Sequence, residues 1–238
     1  MERVNKYEEI TTRTTITYHR LYKFGKLFEL NNLNIKLLEK SLSPEANREQ
    51  VFQAGEGTGK SGSFFFFSHD RKFMIKTMRD DEFETMLKIL PDYIEHHRRY
   101  PDSLLAKIFG VFTVKKEGME KVHLMLMENT MQFRDKNKIK FVYDLKGSTY
   151  GRRTKGTMTT KTVRKDLDFL NDKKKNPREL SLAKINRVLI QTLRRDVNFL
   201  KEKNLIDYSL LLAIEKTDEE FDQKKIEESR RLTKMVST

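Results

Sequence analysis

Residues 54–77 read AGEGTGKSGSFFFFSHDRKFMIKT, and no other stretch limits the possible folds of this chain as sharply. Glycines let backbone N–H groups approach an anion closely, and a lysine at the end of an apolar strand can reach bound phosphates. Ala54 to Ser61 resembles a Walker A loop with alanine in place of the first glycine, and in that motif the Lys-Ser pair would open a helix. The residues after Ser61 argue against a helix. Four phenylalanines, a polar turn at 68–72 and a second apolar run ending on Lys76 predict two antiparallel strands. Loop, hairpin and strand lysine in that order are the arrangement of kinase-type phosphate binding.

The rest of the composition fits a globular body. The chain has 238 residues, 37% hydrophobic and 35% charged, enough for one large or one two-lobed domain. It contains no cysteine, so neither disulfides nor thiolate metal sites can form, in keeping with a reducing compartment. No apolar run approaches the roughly twenty residues that cross a bilayer, and the N-terminal segment is polar. A cytoplasmic or peripheral location follows as an expectation. The net charge of +13 favours a polyanionic partner such as anionic lipid, phosphorylated small molecules or nucleic acid.

Along the chain, residues 1–20 predict a poorly packed segment. Residues 21–42 predict one or two short helices broken near Asn31-Asn32. Ser43, Pro44 and Glu45 form a helix start, with Ser43 as N-cap. Residues 80–94 predict a helix broken or kinked at Pro91, carrying an acid that pairs with Lys76. Glu84 is the first choice for that acid and Glu82 the second. Residues 104–114 and 121–127 predict a second hairpin, with Glu128-Asn129-Thr130 as the connection after it. Phe141 to Arg153 begins as a strand and becomes a basic, glycine-punctuated loop, and Lys173-Lys174-Lys175 is placed in an exposed loop. Residues 182–203 predict an amphipathic helix with Ile185, Val188, Leu189, Leu193, Val197 and Leu200 on its apolar face. Asp207 then stands at the mouth of an apolar strand, and the chain turns polar after Glu215.

These segments are familiar in combination. GTGKSGSFFFF (57–67), FMIKTM (73–78), DLKGSTYGRR (144–153), KDLDFL (165–170) and LRRDVNFL…LIDYSLLLAIE (193–215) resemble the phosphatidylinositol phosphate kinases, in the family's order. The DLKGST and IDYSLL elements are the most specific. The resemblance is to the phosphatidylinositol-4-phosphate 5-kinase type and implies an α+β, two-lobed kinase-like fold with an antiparallel N-lobe sheet. It divides the chain into an N-lobe at 21–130, a partial C-lobe at 131–215 and a polar tail at 216–238.

The resemblance also implies roles. Gly59, Lys60, Ser61, Gly62 and Ser63 would cover the ATP phosphates, and Lys76 would pair with the α/β-phosphates. Met127, Glu128 and Asn129 would line the adenine edge. Lys146 would reach phosphate, while Arg152 and Lys165 would hold the phosphate already on the inositol ring. Asp207 would be the catalytic aspartate, near the attacking hydroxyl or the Mg²⁺. Family members continue to a strand carrying Ile-Ile-Asp, whose aspartate binds magnesium, and then to an activation loop. Here the sequence stops at Thr238, with Asp218 and Asp222 in a polar stretch, so the resemblance implies an incomplete C-lobe.

The expected activity is ATP- and Mg²⁺-dependent phosphorylation of a phosphatidylinositol phosphate at an anionic membrane, phosphatidylinositol 4-phosphate to the 4,5-bisphosphate first among them. The alternative is a catalytically impaired relative that binds phosphoinositide membranes without turnover. A Walker-type NTPase is disfavoured by the strands after Ser61. Nucleic-acid binding is not expected, because no helix-turn-helix, zinc-finger or RNP-like pattern accompanies the basic residues.

Overall fold

The computed structural model describes residues 13–48, 64–131, 136–159, 162–175 and 186–215. Contacts divide the chain into two compact units, one of residues 1–132 with 186–205, the other of 133–185 with 206–238.

The first unit is built on a five-stranded antiparallel sheet in the order β1-β4-β5-β3-β2. Its strands are β1 (Thr14–His19), β2 (Phe65–Phe67), β3 (Phe73–Met78), β4 (Ile108–Lys116) and β5 (Val122–Glu128). Both expected hairpins are present, β2–β3 and β4–β5. Strand β1 was not expected in the polar N-terminal segment. It is an edge strand paired with β4, and five of its six residues are exposed. His19, at its end, is tied inward through Nε2 and Thr113 Oγ1 at 2.7 Å.

Helices α1 (Leu21–Leu30) and α2 (Ile35–Leu42) flank the expected break at Asn31-Asn32. Asn34 caps α2, accepting from Lys36 N at 2.9 Å. The short α3 (Pro44–Asn47) starts as its sequence predicts, with Ser43 Oγ accepting from Ala46 N at 3.2 Å. Helix α4 (Asp80–Arg99) runs beyond the expected stop and carries Pro91 inside it. An interior proline costs roughly 3 kcal/mol in an isolated helix. Here Phe83, Met86, Leu90 and Tyr93 form a buried stripe on both sides of it, and that packing holds the helix together. Acids fill its first turn and basic residues its last, complementing the helix dipole at both ends.

The main core joins that stripe to Phe24 and Leu27 of α1, Val111 of β4 and Phe199 of α6 (Asn186–Glu202). A second cluster, Phe73, Phe109 and Leu126, lies under Phe28 of α1, Leu33 of the turn after it, and Leu38 and Leu42 of α2. The inward side of α6 matches the expected apolar face in part: Leu200 packs against the main core, and Leu189 and Leu193 are half-buried. Thr192, Asp196 and Phe199 are its buried residues, whereas Val188 and Val197 are exposed and Ile185 lies outside the described residues. Asp196 accounts for the difference. Its carboxylate accepts from His96 Nε2 at 2.7 Å, Ser103 Oγ at 2.9 Å and Leu104 N at 2.7 Å. A buried carboxylate with three donors is satisfied, so it can point into the core while valine faces water.

The second unit holds β6 (Ile139–Leu145), β7 (Val163–Arg164) and β8 (Leu210–Glu215) in the order β7-β6-β8, with helix α5 (Asp166–Lys175). Strands β6 and β7 are parallel, β6 and β8 antiparallel. Tyr143 is fully buried, edge-on to Phe169 at 5.1 Å, and its hydroxyl donates to Asp172 Oδ2 at 3.0 Å. Lys173, Lys174 and Lys175 are exposed, as expected, but they form the last turn of α5 and not a loop, where their charge suits the helix C-terminus. Among the described residues, no helix is long and apolar enough to cross a membrane.

Candidate active site

In the first unit, Lys76 lies on β3 between Phe65 of β2 and Met125 of β5. Its ammonium stands 3.8 Å from Glu82 Oε1, both side chains about a quarter exposed. Glu82, and not Glu84, is therefore the acid that α4 offers. Phe83 points into the core, and at about 100° per residue its two neighbours lie on opposite sides of the helix. Glu82 falls on the side of β3. It is also fixed from behind, because Oε2 accepts from Arg79 N at 2.9 Å as the helix begins. Glu84 is exposed.

Met127 and Glu128 end β5, and Glu128 stands 3.8 Å from Lys107. Asn129 is buried and engaged with the β2–β3 turn. Its backbone N–H donates to Lys72 O at 2.9 Å and its side chain to Arg71 O at 2.6 Å. Gly59, Lys60, Ser61, Gly62 and Ser63 lie outside the described residues, as do Asp218 and Asp222.

In the second unit the loop after β6 brings Lys146 to Asp207. The lysine ammonium donates to Asp207 Oδ1, and the hydrogen bond and charge of Lys146 hold the Asp207 carboxyl below the usual carboxylate range. Asp207 sits at φ 62°, a left-handed conformation uncommon outside glycine, and its side chain is 80% exposed. A strained backbone that presents an exposed carboxylate is a frequent property of functional residues.

Arg152 is held within its own loop. Nε donates to Asp166 Oδ2 at 2.8 Å, and Nη2 donates to the Asp144 carbonyl at 2.5 Å and to Asp144 Oδ2 at 2.9 Å. Lys165 is half-buried and its backbone N–H donates to Asp168 Oδ2 at 3.1 Å. Its ammonium has no ion pair among the described residues.

The model of the family described as phosphatidylinositol-4-phosphate 5-kinase matches residues 46–237. The chain belongs to the phosphatidylinositol-4-phosphate 5-kinase family. A probable phosphatidylinositol phosphate kinase of Dictyostelium discoideum is 41% identical over 170 residues, 71% of this chain and 23% of that protein. Phosphatidylinositol 4-phosphate 5-kinase 8 of Arabidopsis thaliana is 40% identical over 158 residues, 66% of this chain and 19% of the relative. The type-1 beta phosphatidylinositol 4-phosphate 5-kinase of Gallus gallus is 36% identical over 174 residues, 72% and 31% of the two chains. The chain thus spans between about a fifth and a third of the length of these relatives.

Within this member of the phosphatidylinositol-4-phosphate 5-kinase family, two aspartates that organise the loop were not singled out by the sequence. Asp166 Oδ1 accepts from the backbone N–H of Lys146 at 3.0 Å and Gly147 at 2.8 Å. Burial works to raise its carboxyl, but the Arg152 guanidinium and the two amides outweigh it and hold it below the ordinary range. Asp168 Oδ2 accepts from Thr154 N at 2.9 Å and Thr154 Oγ1 at 2.6 Å. The available signal was the Asp-Leu-Asp spacing at a helix start, where carboxylates are common for capping alone.

Proposed function

We propose that this chain carries nucleotide- and lipid-phosphate elements of a two-lobed, kinase-like enzyme that phosphorylates phosphatidylinositol 4-phosphate to the 4,5-bisphosphate at the expense of ATP. The observation that carries the reading is the Lys76–Glu82 pair, a strand lysine held at 3.8 Å by an acid of the following helix. Phosphoryl transfer needs little covalent help from the protein. It needs cations that offset the spreading charge and a carboxylate that orients the hydroxyl nucleophile. Lys76 would meet the α/β-phosphates, with residues 59–63 covering them and residues 127–129 along the adenine edge. Asp207 would orient the inositol hydroxyl, and Lys146, Arg152 and Lys165 would face lipid phosphate.

Mg²⁺ belongs to the proposal as a companion of the nucleotide. Among the described residues, no group of three or more His, Asp or Glu could hold a metal. Asp207 alone supplies one carboxylate, too few for a protein-built site, so no step of the transfer is assigned to the ion. The excess of basic residues supports work at the anionic cytoplasmic surface of a membrane.

Incubation with ATP, Mg²⁺ and vesicles containing phosphatidylinositol 4-phosphate should yield the bisphosphate. Lys76→Met should lower turnover by about 10²-fold or more. No product from the unaltered chain, with vesicle binding retained, would replace the enzyme reading by that of a phosphoinositide-binding module.

A further inference from the structure

We infer that Asp166 is a positioning residue that aims Lys146 at Asp207, an inference that rests on the phosphoryl-transfer reading for its purpose but not for its geometry. The loop between β6 and β7 is held at two places by the first turn of α5. Asp166 takes the amides of Lys146 and Gly147 on one oxygen and Arg152 Nε on the other. Asp168 takes Thr154, and Leu167 N donates to the Arg152 carbonyl at 3.0 Å. Between these anchors residues 148–150 are exposed, Tyr150 at 95%.

A lysine ammonium sits on four rotatable bonds, and its reach is decided by where its backbone is fixed. Both amides that set the Lys146 backbone end on one oxygen of Asp166. Gly147, at φ 72°, makes the turn that lets consecutive N–H groups converge there. The Asp166 side chain is only 10% exposed and its other oxygen is occupied by Arg152, so the carboxylate cannot swing away. Arg152 in turn is braced by Asp144 and is 12% exposed. Arg153 and Lys155 of the loop are exposed as well, but Lys146 is the cation presented by a frame of which Asp166 is the central acceptor. An incoming phosphate competes with Asp207 for that ammonium, and the frame keeps the competition local.

A double-mutant cycle on the full chain separates positioning from general structural support. Asp166→Ala should lower kcat by about 10²-fold with ATP and phosphatidylinositol 4-phosphate vesicles, since a misplacement of the order of 1 Å has that effect. In the Lys146→Met background the same change should lower kcat less than about threefold, because the group it positions is gone. Asp168→Asn, which does not touch the Lys146 backbone, should cost the same factor in both backgrounds. Equal losses from Asp166→Ala in both backgrounds, or no loss at all, would overturn the assignment. Amide hydrogen exchange at Lys146 and Gly147 is read without any turnover. Both amides should exchange at least about tenfold faster in Asp166→Ala, which removes the acceptor, and in Asp166→Glu should that first variant fail to fold. Unchanged protection refutes the inference even in an active enzyme. An inactive parent chain with accelerated exchange refutes the kinase reading and leaves the positioning intact.

Discussion

Acidification from pH 7 to pH 4 should weaken the first unit by about 3 kcal/mol through His97 alone. Its ring is 4% exposed, edge-on to Tyr93 at 4.6 Å, and Nε2 has no hydrogen-bond partner. Burial first, and then the neighbouring His96, push its pKa from 6.5 down to about 4, with Asp196 offsetting part of the effect. A depressed imidazole is neutral in the fold while the unfolded chain takes up a proton below pH 6.5. Stability is therefore full above that value, declines as pH falls through the interval, and levels off below about 4. At about 1.4 kcal/mol per pH unit, the interval amounts to about 3 kcal/mol. Urea denaturation followed by circular dichroism at pH 7, 6, 5 and 4 measures it in the parent chain and in His97→Phe. His19, also lowered by burial and by His123, titrates in both chains and cancels in the comparison. The phenylalanine variant should lose about 3 kcal/mol less across the range. Parallel pH dependence in the two chains would show that His97 is solvated or charged in the fold, contrary to its place in the core.

Asp196→Ala should destabilise the chain by about 3–5 kcal/mol, because it leaves His96, Ser103 and the Leu104 amide without their buried acceptor; a melting temperature within a degree of the parent would contradict this. Asp70 governs the acid limb. Burial raises its carboxyl, but hydrogen bonds from Ser41 and Ser68, both at 2.7 Å, and the Lys72 amide outweigh that and bring it to about 2. The stability it supplies, about 2 kcal/mol, is present above its ordinary 3.8 and disappears as pH falls through about 2. Asp70→Asn should flatten the dependence between pH 4 and pH 2, and an unchanged slope would exclude the assignment.

The elements that could be read from the sequence are those with local punctuation. The break at Asn31-Asn32, the Ser43-Pro44 start and the two hairpins each carry their signal within a few residues. What could not be read depends on partners distant in the chain. Strand β1 shows no alternation because most of it is exposed, and it becomes a strand only by pairing with β4, about a hundred residues on. Pro91 misleads because the penalty it imposes is local, whereas the stripe that overrides it is tertiary. On α6 a count of aliphatic residues finds Leu200 but not Asp196, which is buried on account of donors from the segment 96–104. The strand lysine was evident, but its partner depended on which side of Phe83 faces β3.

The same distinction changes what the net charge of +13 means. In the second unit Arg152 is bound to Asp144 and Asp166, Arg164 to Asp172, and Lys146 to Asp207. The two arginines and their carboxylates Asp166 and Asp172 are 10–14% exposed, so dissolved salt screens those pairs weakly and they are part of the architecture. Arg153, Lys155 and the lysines at the end of α5 remain on the surface, where salt screens them fully. Counting charges assigns all of these residues to a polyanionic partner. Arg152 and Arg164 are engaged by carboxylates of their own unit, so only part of the cationic excess lies on the open surface. Lys146 stands between the two groups, with its backbone fixed like the first and its ammonium exchangeable like the second. On the proposed reading, that combination would suit a cation that is in place before the substrate and releases one carboxylate when the substrate binds.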